Sequence, residues 1–299
     1  MKEKAFFHLP GLFEFYELYK IVLPLFREHR EYFYDWCDIG SVYGAPMDCL
    51  WGGGRVESGQ CEPENVLKLM ADYGISARLT FSNSLLAKEH LLDKKCNNLC
   101  ARFEKYSKIQ NGVIVHSDLL KDYLLAHYPN LYLVSSTTKV ITEASELLKE
   151  INKEEFAYVV PDFRFNRSFD LLSGLTPQEK DKVELLCNEC CSVNCGDRKR
   201  CYEDVSRKNL GEEYPEHHCT QKEGAEGYRF YKAMENPSFI GTEDIVNTYL
   251  PMGFSNYKIE GRGLGSALVF EMLLYYMVKP EYQIVMREKV YLDNMLDLF

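Results

Sequence analysis

Short apolar runs recur along this chain and alternate with stretches of helical spacing, and that rhythm limits the folds open to it. The runs fall at residues 36–42 (WCDIGSV), 75–81 (ISARLTF), 112–116 (GVIVH), 131–135 (LYLVS), 156–160 (FAYVV), 183–187 (VELLC), 238–241 (SFIG) and 256–259 (NYKI). Each has strand length, and polar residues gather where most of them end. Strands that alternate with helices call for a parallel sheet with crossover helices. Eight such repeats favour a closed (β/α)8 barrel, an α/β fold, over an open doubly wound sheet. In a barrel the polar strand ends share one face, so Asn83, Ser135 to Thr137, Asp162 to Arg164 and Glu260 to Arg262 are expected to meet there.

The helical stretches fit this frame. Leu12, Phe15, Tyr16, Tyr19, Val22, Leu23 and Phe26 have helical spacing, with Pro24 expected to kink or divide the helix. Pro63 to Tyr73 reads as a helix with proline at its start and Gly74 at its stop. The expected organisation is one barrel domain over residues 1–299, with a cysteine-rich insertion at 188–237 after the sixth strand and closing helices at 264–299.

That insertion is the chemically informative stretch. Of eleven cysteines, Cys187, Cys190, Cys191, Cys195, Cys201 and Cys219 fall between residues 182 and 219. Free cysteine packs well as a small apolar side chain, but this density exceeds ordinary core filling. Disulfides would need an oxidising compartment, and residues 1–10 show no long apolar signal segment, so a reducing cytoplasm is expected. Thiolates converging after a strand point to a soft metal, either zinc or an iron–sulfur cluster. No pair of CxxC motifs marks a zinc finger, and an irregular C-x3-C with a distant cysteine suits a loop-held cluster at least as well. Cys96 and Cys100, one helical turn apart, read more simply as packing.

Gly52, Gly53 and Gly54 allow backbone to approach a ligand closely, though the lysine and helix of a phosphate loop are missing. The formal net charge of −10 argues against an extended nucleic-acid surface. The most apolar stretch, Ser266 to Val278, is too short to span a membrane and carries Glu271.

Several of these segments resemble the peptidase U-32 (collagenase-like) family, in order, over most of residues 36–265. Tyr257-Lys-Ile-Glu-Gly-Arg262 is similar to the family's (F/L)KIEGR signature. Gly112 to His116 with Pro129 and Ser135-Ser-Thr-Thr138 is similar to its strand pair, and Leu79-Thr-Phe-Ser-Asn83 to its strand ending in asparagine. Val183 to Cys191 resembles the E-V-F-V-H-G-A-L-C strand, which places Cys191 on that motif's cysteine. Two departures mark a divergent member: Cys187 replaces the strand's histidine, and Ser192 to Cys201 replaces the S-G-R-C and following cysteine pattern.

The resemblance implies a barrel holding a 4Fe-4S cluster on four cysteines. It also implies oxygen-independent hydroxylation of an aromatic or nucleobase-like substrate, since better-understood relatives act on ubiquinone precursors, tRNA uridine or ribosomal RNA cytidine. The implied ligands are Cys191, Cys195 and Cys219 with Cys49, or Cys201 in its place. An enzyme of this kind needs a small or nucleobase-like substrate and an electron-transfer partner. Asn83, Lys258, Glu260 and Arg262 are the catalytic candidates at the mouth, with Arg262 suited to a carboxylate, although a Glu–Arg pair at a strand end is also an ordinary structural salt bridge. Two alternatives stay open. One is a metal-dependent peptidase, although HExxH and GxSxG are both absent and only His217-His218 beside Cys219 suggests a zinc hydrolase. The other is a non-catalytic scaffold in which metal only staples a long loop.

Overall fold

The computed structural model describes residues 2–54, 61–105, 109–215, 217–219, 221 and 227–293. Its eight strands are β1 (Ala5–Pro10), β2 (Cys37–Gly44), β3 (Ser76–Phe81), β4 (Gly112–Val115), β5 (Tyr132–Ser135), β6 (Phe156–Val159), β7 (Glu184–Leu186) and β8 (Asn256–Lys258). They lie side by side in the order β6-β5-β4-β3-β2-β1-β8-β7, every pair parallel. A single parallel bridge, Val159 to Val183, brings the two edges together, so the barrel is nearly closed. Helices α1 (Tyr16–Glu28), α2 (Pro63–Tyr73), α3 (Lys94–Lys105), α4 (Asp118–His127) and α5 (Ala144–Ile151) each cross between consecutive strands, and α6 (Phe169–Gly174) and α7 (Pro177–Lys182) lead into β7.

Seven of the expected strands are present, and one is replaced. Residues 238–241 are not a strand, because β7 already pairs with β8 directly, Glu184 opposite Asn256. Only Ile240 reaches the sheet, donating to the Cys187 carbonyl at 3.0 Å. The missing strand is β1, at the N-terminus. The cysteine-rich insertion therefore follows the seventh strand, not the sixth. Part of that insertion (216, 220 and 222–226), Arg55 beside the glycine loop, and residues 294–299 of the closing helices lie outside the described residues.

Local chemistry explains the helix ends. Gly74 adopts φ 70° and returns its N–H to the last turn of α2, which only glycine does without strain. Thr176 and Glu179 cap α7 reciprocally, at 3.2 and 2.8 Å. Pro24 does not divide α1, whose Leu18, Tyr19, Val22 and Leu23 are buried and hold the helix against the barrel.

Period-two alternation sorts each strand into two faces. Ala5, Phe7 and Leu9 of β1, Ala77, Leu79 and Phe81 of β3, and Tyr257 and Ile259 at β8 join the main apolar core outside the barrel. Each such large side chain contributes about 1.5–3 kcal/mol on burial. The other faces point inward. Barrel interiors are usually filled by branched apolar residues, whereas this one carries His8, Ser41, Ser76, Arg78, Glu184, Asn256 and Lys258, all buried. Glu184 is the hub, with Arg78 at 2.5 Å, Lys258 at 3.2 Å and His8 at 3.6 Å. Above this layer the inner wall turns apolar, with Tyr43, Ile114, Val134, Val160 and Leu186.

Candidate functional site

A cavity of about 820 Å³ opens at the C-terminal ends of the strands. Tyr43, Thr80, Ile114, Val160, Leu186 and Lys258, from β2, β3, β4, β6, β7 and β8 or the residues just after them, form its floor. The insertion folds back over the mouth and supplies Cys190, Cys191, Cys195, Cys201, Tyr202, Tyr214, His217 and Cys219 to the opposite wall. This is the catalytic end of a (β/α)8 barrel.

Buried charge fixes the insertion in place. Asp162, just past β6, pairs with Arg164 at 3.2 Å and with Arg198 at 3.4 Å. Arg164 donates to the carbonyls of Val193 at 2.9 Å and Cys195 at 2.6 Å, which shapes the cysteine loop directly. Arg198 opens helix α8 (Arg198–Asn209) and meets Glu189, whose other oxygen accepts from the Cys191 N–H at 3.0 Å. Further along α8, Ser206 bonds to Ser84 and its carbonyl accepts from Asn83.

The candidate thiols divide into two groups. Cys191, Cys195, Cys201 and Cys219 all line the cavity, and none of the eleven cysteines is in a disulfide. Cys49 does not line it; it is buried beside Cys96 and Cys100 under α3. A hydrogen bond that the Cys96 thiol makes to Cys49, together with burial, raises Cys96, and burial raises Cys100. Burial, reinforced by Glu189, pushes Cys191 up to about 12, while Arg198 beside it favours the thiolate. Among the described residues, Glu189, Cys190 and Glu260 form the group of potential ligand atoms within 4.8 Å of one another.

The other candidates separate as well. Lys258 lines the cavity with Nζ 3.5 Å from the centre of the Tyr43 ring. Burial pushes it down to about 8, against the pull of Glu184. Arg262 also lines the cavity, with Nε on Glu14 at 2.7 Å and Nη2 on the Ala45 carbonyl at 3.0 Å. Glu260 lines it too, and its backbone N–H is held by Asn188 at 2.8 Å. Asn83 does not line it. Its amide donates to the carbonyls of Leu50 at 3.0 Å and Ser206 at 3.1 Å, so it ties the glycine loop to the insertion. Gly52 and Gly54 line the cavity, while Gly53 is pressed so closely on Ser82 that a Cβ there would lie 2.2 Å from the Ser82 carbonyl oxygen.

Sequence reasoning placed Asp162 and Lys258 at the strand ends but missed the rest of the charged barrel interior and the buried Arg198 that pairs with Asp162 and Glu189. The signal for the interior was present in β3, where Ser76, Arg78 and Thr80 alternate with Ala77, Leu79 and Phe81. It also missed His8, whose Nε2–H donates to Asn256 Oδ1 at 3.2 Å and whose Nδ1 accepts from Ser41 at 2.8 Å. No helix among the described residues is long and apolar enough to cross a membrane.

No known family model matches this chain, and neither does any curated protein. A solved structure does: the U32 peptidase Mk0906 superposes with a TM-score of 0.55 at 12% sequence identity, over 88% of this chain and 94% of that one. The likeness shows a distant U32-peptidase-like barrel fold.

Proposed function

We propose that this barrel is an iron–sulfur enzyme that modifies a small or nucleobase-like substrate, most specifically by hydroxylation without molecular oxygen. The observation that carries the reading is the presence of Cys191, Cys195, Cys201 and Cys219 around one cavity at the catalytic end of a barrel. Cys201 takes precedence over Cys49 as the fourth ligand, because Cys49 does not line that cavity.

The donor set suits a cluster better than a single zinc ion. Tetrahedral zinc at about 2.3 Å from each sulfur holds its thiolates about 3.8 Å apart. No three of these thiols lie within 4.8 Å of one another. A cubane spreads its ligands more widely, and the cavity has room for it. A bound cluster would supply one-electron chemistry, its potential set by burial and by hydrogen bonds to sulfur. The chain's own residues do the rest. Arg198 favours the Cys191 thiolate, Arg164 orients the Cys195 backbone, and the insertion forms the wall over the floor.

Peptide-bond cleavage, which the solved neighbour's name suggests, is the alternative. Anaerobic purification with a visible spectrum and analysis of iron and acid-labile sulfide tests the cluster. About four of each per chain are expected, and stoichiometric zinc without sulfide defeats the proposal. Mass-shift analysis of metabolites and RNA from cells lacking the protein tests hydroxylation. Metal-dependent peptide cleavage by the purified chain would favour the alternative.

A further inference from the structure

Three hydrogen-bonding groups lining the cavity have no partner among the described residues. Thr80 Oγ1, Ser82 Oγ and Arg262 Nη1 are all buried, and among the described residues none has a hydrogen-bond partner. Their residues are 7%, 1% and 8% exposed, and all three line the cavity. Leaving a buried donor unpaired is costly, and such groups are normally satisfied by protein, water or ligand. Here Thr80 and Arg262 sit together, and Ser82 follows Thr80 by two residues at the end of β3. A Cβ at Gly54 would lie 2.7 Å from Arg262 Nη1 and 3.7 Å from Thr80 Cγ2, so glycine keeps this corner open. Gly53 presses on the Ser82 backbone from the same side.

Two cationic side chains, Arg262 and Lys258, reach the cavity at this corner. Arg262 is matched by Glu14, while Arg78 and Lys258 share the one carboxylate of Glu184, so these five groups carry one positive charge in excess. Glu260, the other charged group from this strand end, brings its carboxylate close to Glu189 and Cys190. One surplus charge with hydroxyl and guanidinium donors suits a monoanion better than a dianionic phosphate. A carboxylate accepts several hydrogen bonds at once and pairs well with arginine. The floor beside the corner is apolar and aromatic, made by Tyr43, Ile114, Val160 and Leu186.

We propose that this corner is a carboxylate-binding subsite, receiving a small carboxylic acid on Arg262 Nη1, Thr80 and Ser82 with its apolar body against Tyr43 and Leu186. The assignment deepens the proposed function, because it rests on this cavity being the working site, but it does not depend on which metal the cysteines hold.

Isothermal titration of the full chain, purified anaerobically, tests it with benzoate, benzamide and inorganic phosphate as probes. Benzoate is expected to bind at least about tenfold more tightly than benzamide, because a hydrogen bond to a charged group outweighs a neutral one. Thr80→Val and Ser82→Ala are each expected to weaken benzoate binding about five- to tenfold. Neither should lower the thermal midpoint of the unliganded protein, since each removes a buried hydroxyl without a partner. No benzoate binding, equal binding of benzamide, preference for phosphate, or unchanged affinity in both variants would overturn the subsite. Iron and sulfide content of the same samples reports on the cluster separately, so failure of either reading is visible by itself.

Discussion

Arg198 and Glu189 form an ion pair at 2.5 Å with side chains 0% and 1% exposed. One residue opens the helix of the insertion and the other stands between β7 and the cysteine loop. Removing one member of such a pair leaves the other as an uncompensated buried charge, which typically costs about 3–5 kcal/mol. Arg198→Met is expected to lose stability on that scale, read from the denaturant midpoint. A midpoint within about 0.5 kcal/mol of the parent would show that the pair does not hold the insertion down.

Acid should weaken the protein in a window set by buried histidine. Burial first, and then Arg78, lowers His8 to about 3, so it is neutral in the folded barrel. Between about pH 6.5 and 3 the unfolded chain binds a proton there that the folded chain refuses, so stability falls as pH drops through that range. His116, lowered to about 4 mainly by burial, acts in the same direction. Glu150, held at about 2 by Lys139, Lys153 and Ser135 against the cost of burial, adds a loss as pH falls below about 4.5. Urea unfolding at pH 7, 5.5 and 4.5 should show this decline, and His8→Gln should flatten it. An equal slope in the variant would assign the decline elsewhere.

The two groups of thiols predict opposite results. Cys201→Ser is expected to lose bound iron and visible absorbance, whereas Cys49→Ser keeps both and changes only packing near Cys96. The reverse pattern, measured on anaerobically purified variants, would move the fourth ligand to Cys49.

Gly53 has no room for a side chain. A Cβ there would meet the Ser82 oxygen at 2.2 Å and its carbonyl carbon at 2.3 Å, both backbone atoms that cannot swing aside. Gly53→Ala should therefore displace the loop and lower stability by about 1–3 kcal/mol, comparable to overpacking a core. Gly196→Ala is the control, since nothing lies within 4 Å of its Cβ position. Similar midpoints for the two variants would show that the loop is not seated on Ser82.

Much of the architecture was legible in the order of residues. Strand and helix periods are local properties, so the alternation that builds the barrel could be read directly, and so could the helix stop at Gly74. The density of cysteines between 187 and 219 marked the insertion. The first strand was not legible, because Ala5 to Pro10 and Ser238 to Gly241 are both short apolar runs. Only the direct pairing of β7 with β8 decides between them. The charged interior was hidden for a related reason. Alternation shows that Arg78 and Glu184 lie on inward faces, but they are far apart in sequence and meet only when the barrel closes. The same holds at the mouth. Residue types name eleven thiols that could bind metal, while the path of the insertion decides that Cys201 faces the cavity and Cys49 does not. Local periodicity is a property of neighbouring residues, whereas a site assembled from seven strand ends and an insertion exists only once distant segments have packed.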